Sequence, residues 1–426
     1  MISKEFLETS TIKFSNTIKE RGLFKTLFLV IKRILNFEFI IIYPLVFILC
    51  LLIRIIRPIF FFRFGCLYAE KFGPLSARTE MSLCEQELGL QPKRTKTINI
   101  YNTGYSSFIC NKQLSNMWKR VVRVYPKSRY FWNTMNAFSF GRDHIIEAKK
   151  GSRDVHNLLE RSPIHLSFTQ EETEQAKKEL LKMGLNENDK YILIMNRTQR
   201  YLDEVLPGKM DLTHNSHRNS NINDLAPVAE ILAAKGNTII RFGQKVGDLM
   251  STSNPKIIEY DHKGFRTELL DIYLSANCKY IIGASDTGGL AVAGWNFRKP
   301  MINVNFSSLE NLIPWLPSWL FCFRKYWLKK EKRFMKIREM IDSGAGRFDS
   351  YKQYEEKGIE LINNTKQQII DVVNEMELRL SGDWRDSEED DELQRRFWCH
   401  FEKSDKHGIV RSRIGAKFLK ENIDLL

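Results

Sequence analysis

The loop from Asn215 to Ser220 brings imidazole, guanidinium, amide and hydroxyl groups together within a short stretch of chain. A guanidinium can bind two phosphate oxygens at once, and amides and hydroxyls add hydrogen bonds. An amphipathic helix is predicted to follow over 223–235, and its N-terminus would add N–H donors and a positive dipole end. The loop therefore suits a phosphate or a nucleotide diphosphate. Its candidate ligands are Arg218, Asn219 and Ser220.

A second turn of this kind is predicted about 65 residues further on, after the apolar strand Tyr280–Ile282. Its candidate binding residues are Ser285, Asp286, Thr287, Gly288 and Gly289. Small residues let a backbone approach a phosphate closely, although a glycine-rich turn can also serve tight packing alone. Asp286 would repel a phosphate, so we expect it to cap the predicted helix over 287–293 or to bind a sugar hydroxyl.

Two further arginines and two histidines could reach the same place. Arg197 and Arg241 follow predicted strands, where each could instead form a salt bridge. His214 and His217 are candidate general bases, because imidazole titrates near neutral pH. Histidines in polar loops are more often not catalytic, so the catalytic base stays unassigned.

The sequence holds no recognisable metal cluster, phosphate-binding P-loop or Ser-His-Asp triad. The acidic run around Glu389 lies in a tail and not at a strand end. We therefore expect no metal site and no tightly bound cofactor. The seven cysteines form no CxxC pair, and this favours a reducing cytosol over a disulfide framework.

Composition indicates a folded protein of two or three domains. The chain has 426 residues, 43% of them hydrophobic and 27% charged. The net charge is +14, and much of the excess lies near the N-terminus beside apolar runs. Basic charge next to apolar residues favours an anionic membrane surface as a partner over nucleic acid.

The uncharged run Phe39–Ile53 is the candidate membrane segment. Its length falls short of the roughly 20 residues that span a bilayer core. An in-plane anchor with basic flanks is the first interpretation, a tilted span over 34–53 is the second, and a buried core helix is the third. The first interpretation predicts a protein at the cytoplasmic face of the inner membrane.

Strands and helices are predicted to alternate from residue 59 onward, which is typical of α/β folds. We expect an N-terminal membrane-associating segment, a first α/β domain, a linker helix, a second α/β domain that binds the ligand, and an acidic linker with a helical tail. The bounds are 1–57, 58–170, 171–189, 190–380 and 381–426. The aromatic and basic stretch after Phe306 is expected either to pack over the second domain or to contact a membrane, and the sequence leaves both open.

Several motifs together resemble a family of bacterial glycosyltransferases encoded among surface-polysaccharide genes. They are Arg63–Gly65 with Pro74–Ser76 and Thr79-Glu80, Asn111–Leu114, His217–Ser220 with Ile222, Ile240–Gly243, Tyr260-Asp261 with Arg266, Ile282–Gly288, and Arg413–Leu419 with Asn422 and Leu426. The resemblance runs from about residue 59 to the end, and the central block is its most specific part. Cys66 and Asp286 depart from the family's pattern.

The resemblance implies a GT-B-like fold with two Rossmann-like domains facing a cleft, similar in layout to heptosyltransferases. It implies transfer of a sugar from a nucleotide-diphosphate donor, as co-substrate, to a surface polysaccharide or lipid-linked glycan. Two alternatives stay open. One is another polysaccharide enzyme of similar fold, such as a pyruvyl transferase or a sugar-nucleotide epimerase. The other is a non-catalytic membrane scaffold of a glycan synthase.

Overall fold

A computed structural model describes residues 41–94, 96–104, 108–198, 200, 213–244, 246–285 and 289–426, with only the backbone at 213–215. The chain divides into two compact units, Met1–Gly151 and Ser152–Leu426. Both contain parallel β-sheet, in agreement with the predicted α/β class. The division lies well before the predicted linker at 171–189.

The first unit contains a sheet of three parallel strands in the order β2-β1-β3. The strands are β1 Phe61–Cys66, β2 Thr97–Asn102 and β3 Ile145–Ile146. The central strand β1 pairs along its whole length with β2, from Phe61 opposite Thr97 to Cys66 opposite Asn102. Gly65 permits this pairing, because a Cβ there would lie only 2.6 Å from the Tyr101 ring.

Four α-helices are described in the first unit. They are α1 Tyr43–Ile55, α2 Thr79–Glu87, α3 Lys112–Val121 and α4 Arg129–Ala137. The side chain of Asn111 caps α3 by accepting a hydrogen bond of 2.7 Å from the Leu114 N–H. The segment 121–125 forms no further strand, and a single parallel bridge joins Val124 to Tyr101. Helix α3 extends into that segment, and Pro126 opens a 3-10 turn directly after it.

Helix α1 coincides with most of the candidate membrane segment, of which Phe39 and Ile40 lie outside the described residues. Val46 and Cys50 on one side of α1 pack into the core of the first unit with Trp132 and Met135. The opposite side is exposed, so the interpretation as a fully buried helix is wrong. In the described part of the chain, no helix is both long enough and apolar enough to cross a membrane.

The second unit is built on a seven-stranded parallel sheet in the order β13-β9-β8-β7-β4-β5-β6. Its strands are β4 Tyr191–Asn196, β5 Thr238–Arg241, β6 Ile257–Glu259, β7 Ile281–Ala284, β8 Met301–Phe306, β9 Trp319–Phe323 and β13 Arg413–Ile414. A smaller antiparallel sheet follows β9 in sequence and contains β10 Lys325–Leu328, β11 Arg333–Phe334 and β12 Ile359–Ile362.

The order of β4 to β9 is that of a doubly wound Rossmann fold. The chain runs from β4 outward through β5 to β6, returns to the other side of β4 as β7, and continues through β8 to β9. The direction reverses between β4 and β7, so a crevice is expected where the carboxyl ends of these two strands meet.

The second unit also contains nine described α-helices. They are α5 Leu158–Arg161, α6 Gln170–Lys182, α7 Ala226–Ala234, α8 Glu268–Asn277, α9 Ile337–Asp342, α10 Tyr351–Glu356, α11 Lys366–Ser381, α12 Glu388–Trp398 and α13 Ala416–Glu421. The predicted linker helix is α6, and it packs within the second unit. The Thr267 hydroxyl, at the start of α8, donates a hydrogen bond of 2.6 Å to Glu179 Oε2 on α6.

The predicted acidic linker and tail at 381–426 are wrong in part, because this segment completes the second unit. Ser387 and Asp390 form a capping box that starts α12, so the acidic residues stabilise a helix N-terminus. Phe397 of α12 is fully buried and stacks on Phe323, with ring centroids 5.5 Å apart. Strand β13 then pairs in parallel with β9 at the sheet edge.

Several aromatic residues of the stretch after Phe306 belong to the core of the second unit. Trp315, Trp319 and Phe321 are fully buried, and Trp319 and Phe321 belong to β9. The indole of Trp315 donates a hydrogen bond of 2.8 Å to the His407 carbonyl. Of the two expectations for this stretch, packing within the second domain is confirmed for these aromatic residues.

Candidate functional site

A polar cavity of about 800 Å³ lies at the carboxyl edge of the large sheet, beside the point where the strand order reverses. It lies entirely within the second unit. The lining residues are Asn196, Thr198, Arg200, Ser216, His217, Asn219, Ser220, Asn221, Ile222, Arg241, Gly247, Asp248, Arg324, Lys329, Tyr351, Tyr354, Ile359, Glu360, Leu361 and Asn363. Its size and mixed polar lining suit a ligand as large as a nucleotide.

The predicted polar loop forms the inner wall of the cavity. The Asn196 amide, at the end of β4, donates a hydrogen bond of 2.7 Å to the Ser220 carbonyl. The Ser220 hydroxyl donates one of 3.1 Å to the carbonyl of Ala284, at the end of β7. The loop thus joins the two strands between which the sheet reverses direction. Asn219 and Ser220 both line the cavity.

Arg324 holds this loop from the other side, and it was not among the site residues predicted from the sequence. Its guanidinium donates to the Asn219 carbonyl at 2.8 Å, to the Ser307 hydroxyl at 2.9 Å and to the His217 carbonyl. The side chain is buried and lines the cavity. Its position directly after the apolar strand β9 is a signal that could have identified it, since a strand-end arginine of this fold faces the ligand edge.

His217 is part of this loop. Its side chain is buried, lines the cavity and lies against the Tyr354 ring, with centroids 5.6 Å apart. The side chain of the other candidate base, His214, is outside the described part of the chain. His217 is therefore the candidate base whose position the structure gives.

The predicted arginines take different positions. Arg197 donates a hydrogen bond of 2.6 Å to Asn219 Oδ1, which fixes the loop. The half-buried side chain of Arg218 is not among the groups that line the cavity. The cationic side chains that do line it are Arg200, Arg241, Arg324 and Lys329.

Arg241 lines the cavity but is committed to partners. It is fully buried and donates to Glu259 Oε2 at 3.3 Å, to Asn196 Oδ1 at 3.4 Å and to the Asp248 carbonyl. Burial lowers the pKa of the guanidinium from its ordinary value. Because Glu259 offsets much of the charge, these contacts favour a role in positioning the loop that contains Asp248.

The second predicted turn is described only at its ends. Ser285 directly follows β7 and has a φ of 73°, a left-handed conformation uncommon for a residue with a side chain. Its N–H donates a hydrogen bond of 2.7 Å to the Val304 carbonyl. Its hydroxyl is buried and has no hydrogen-bond partner among the described residues. The predictions for Asp286, Thr287 and Gly288 lie outside the described residues, and Gly289 is described.

The expected helix N-terminus is displaced from the loop. A 3-10 turn, Ile222–Asp224, comes first, and the Asn221 side chain caps it by accepting from the Asn223 N–H at 2.9 Å. Helix α7 begins only at Ala226, with Pro227 in its first turn, where a missing N–H costs little. Asn221 and Ile222 line the cavity, so the 3-10 turn takes the place predicted for the helix.

The small antiparallel sheet and α10 supply the outer wall. Lys329, Tyr351 and Glu360 line the cavity from this side. The Lys329 ammonium lies 4.0 Å from Glu360 Oε2, and both side chains are more than half exposed, so the pair contributes little to stability. No site residue of this outer wall was predicted, because no local sequence motif marks these positions.

Comparisons with known proteins give limited information. No family model matches the chain, and no curated protein matches its sequence. Among solved structures, the fold is similar to the glycosyl transferase family 9 from Veillonella parvula DSM 2008. The TM-score is 0.46 at 11% sequence identity, and the match covers 76% of this chain and 99% of that one. A likeness this distant assigns neither activity nor site residues.

Proposed function

We propose that the protein is a glycosyltransferase that takes a sugar from a nucleotide-diphosphate donor. The observation that carries the proposal is the polar cavity with several cations at the carboxyl edge of the doubly wound sheet. Sheets of this kind bind nucleotides where the strand order reverses. The resemblance of the sequence motifs to glycosyltransferases of surface-polysaccharide gene clusters points to the same class of ligand.

The donor's diphosphate would lie against the inner wall. The side-chain amide of Asn219 can donate a hydrogen bond to its oxygens there, and the guanidinium of Arg324 offsets its charge. The Ser220 hydroxyl could donate to them only by giving up its hydrogen bond to the Ala284 carbonyl. Arg200 and Lys329 add positive charge at the same cavity. In glycosyl transfer the bond between the sugar and the diphosphate breaks, so cations that stabilise the leaving diphosphate lower the barrier. With protein cations in this role, the proposal includes independence from a metal ion.

The acceptor would be a hydroxyl of a surface polysaccharide or a lipid-linked glycan. A general base must remove its proton as the new glycosidic bond forms. His217 is the described candidate, and its replacement by Gln should abolish transfer while donor binding persists.

A nucleotide-binding experiment tests the proposal. Thermal shifts of the full chain are measured with ADP, GDP, UDP and CDP, and then with the corresponding sugar nucleotides. We expect one nucleoside diphosphate to raise the melting temperature saturably, by mass action on the folded state. Incubation with the matching sugar nucleotide and a glycan acceptor should then release the diphosphate. If no member of the panel binds, the proposal is refuted.

The product separates the proposed reaction from its alternatives. Glycosyl transfer adds the mass of a sugar residue to the acceptor, whereas pyruvyl transfer adds the mass of a pyruvyl group. An epimerase changes the sugar nucleotide and leaves the acceptor unchanged. Nucleotide binding without turnover in the presence of acceptor would indicate a scaffold.

Arg218 stays a predicted diphosphate ligand. Loss of a charge-assisted hydrogen bond would cost roughly 1.5–3 kcal/mol, about ten- to a hundredfold in donor affinity. Arg218→Ala should show this loss, and Arg218→Lys should recover only part of it, because an ammonium does not bind two oxygens side by side. A variant that keeps its melting temperature and its donor affinity would remove Arg218 from the site.

A further inference from the structure

The outer side of α1 is an exposed apolar surface on the first unit. Along the helix, the side chains of Leu45, Ile48, Leu49, Leu52 and Ile55 are between 37% and 71% exposed. The surface continues past the helix end through Ile56, Ile59 and Phe60, which are also exposed. We call this set the α1 face. A contiguous apolar area of this kind on a folded unit marks an interaction site.

The inner side of α1 is fixed to the unit, so the α1 face must point away from its core. Val46 and Cys50 are buried in the core. The Tyr43 hydroxyl accepts a hydrogen bond of 2.8 Å from the Asn133 amide, and Phe47 packs on Phe138 with ring centroids 5.0 Å apart. A helix held along one side by its own protein can offer only the other side to a partner.

Most of the net charge of the chain lies in the unit that contains this face. Residues 41–151 contain 17 Lys and Arg against 6 Asp and Glu, a net charge of +11. Residues 152–426 contain 41 of each kind and are neutral. At the end of the α1 face, the Lys96 ammonium lies 5.2 Å from the centroid of the Phe60 ring. Lys93 and Arg94 are exposed close by in sequence.

We propose that the α1 face lies on the surface of an anionic lipid bilayer, with the helix in the plane of the interface. Its apolar side chains would enter the acyl boundary, and the surrounding cations would meet lipid phosphates. The neutral second unit gives no such attraction. The proposal rests on the first unit alone and does not depend on the activity proposed for the cavity.

Charge argues against the other possible occupants of this face. A second copy would bring two units of net charge +11 together, and like charges repel. The first 40 residues contain 7 Lys and Arg against 4 Asp and Glu, so they carry the same sign as the unit they would cover. An anionic bilayer is complementary in both charge and polarity.

Vesicle flotation of the full chain tests the proposal. The vesicles contain either phosphatidylcholine alone or phosphatidylcholine with phosphatidylglycerol. We expect the parent protein to float with the anionic vesicles and much less with the neutral ones. The apolar contact is removed by a double variant, Ile48→Asp with Leu52→Asp, which should lose vesicle binding. Leu181→Asp is the matched control, since Leu181 is 60% exposed on α6 of the neutral unit, compared with 56% for Ile48.

A second double variant, Lys93→Gln with Lys96→Gln, tests the charge. One basic residue near an anionic surface contributes about 1 kcal/mol, a factor of about five. Affinity for the anionic vesicles should therefore fall about thirtyfold. Both variants should keep the melting temperature of the parent, so that a loss of vesicle binding is not caused by unfolding. Two results would overturn the proposal. One is that the Ile48/Leu52 variant binds vesicles as well as the Leu181→Asp control does. The other is that the parent protein forms a dimer in sedimentation and does not float with the vesicles.

Discussion

Replacement of Arg324 by Met should loosen the polar loop and weaken nucleotide binding together. The guanidinium donates to three acceptors that are far apart in sequence, the His217 carbonyl, the Ser307 hydroxyl and the Asn219 carbonyl. A methionine fills a similar volume but leaves these groups without their donor.

The expected magnitude follows from burial. Arg324 is only 4% exposed, so water cannot readily replace it. Hydrogen bonds from charged groups contribute about 1.5–3 kcal/mol each, but three that share one guanidinium do not add in full. Each buried neutral acceptor left without its donor costs about 1–3 kcal/mol, so we expect a total loss of about 3–5 kcal/mol. For a unit of this size, that loss lowers the melting temperature by roughly 10 °C.

The assay combines thermal denaturation with titration of the nucleoside diphosphate that binds the parent. Arg324→Lys should recover some affinity by restoring the charge, but little stability, because an ammonium cannot reach all three acceptors. Arg338→Met is the control, since that side chain is 67% exposed and paired only with Asp342. If Arg324→Met melts within 2 °C of the control and binds the nucleotide as tightly, the assignment of Arg324 as the residue that holds the loop is wrong.

Three further outcomes are expected. Burial lowers the pKa of His407 to about 4, from an unfolded value of 6.5. The folded protein therefore favours the neutral imidazole, and its free energy of unfolding falls as the pH drops from 6.5 to about 4. The difference in unfolding free energy between His407→Phe and the parent should shift by at most about 3 kcal/mol between pH 7 and pH 4 in urea titrations, and a constant difference would contradict this. Thiol labelling under native conditions should modify Cys399 rapidly and the six buried cysteines slowly, because burial hinders access; rapid labelling at a second site would be inconsistent. Gly65→Ala should destabilise the first unit by about 1–3 kcal/mol in chemical denaturation, since its Cβ would overlap the Tyr101 ring, and unchanged stability would show that the ring moves aside.

The elements of the second unit could be predicted because their signals are local. The bounds of the apolar segments Lys190–Met195 and Thr238–Phe242 lie within one residue of those of β4 and β5. Buried parallel strands are continuous apolar runs, and polar residues that follow them lie at one edge of the sheet. This reasoning located Asn219 and Ser220 at the cavity.

The residues that hold the loop could not be read from local pattern. Arg324 lies 107 positions from His217, and only the order of the strands brings them together. The wall residues Tyr351 and Glu360 come from α10 and from the small antiparallel sheet, and neither element was predicted from the sequence. Arg218 has a side chain suited to phosphate, but it ends a 3-10 turn and is not among the residues that line the cavity.

The acidic run near the C-terminus shows how composition can mislead. Clustered carboxylates suggested a solvated linker, yet Asp390 caps the helix in which it lies. The spacing of Leu393 and Phe397, four residues apart on one helix face, was the better signal. Both side chains are buried within the second unit.

The late position of β13 has a consequence for synthesis of the protein. Its partner β9 ends at Phe323, and β13 begins at Arg413, so the ribosome must add about ninety residues between them. At roughly 5–20 residues per second this takes about 5 to 20 seconds. During that time the edge of β9 offers unpaired backbone groups and apolar side chains to other chains. The first unit can fold meanwhile, but the nascent second unit is an expected client of chaperones that bind unfinished sheet edges.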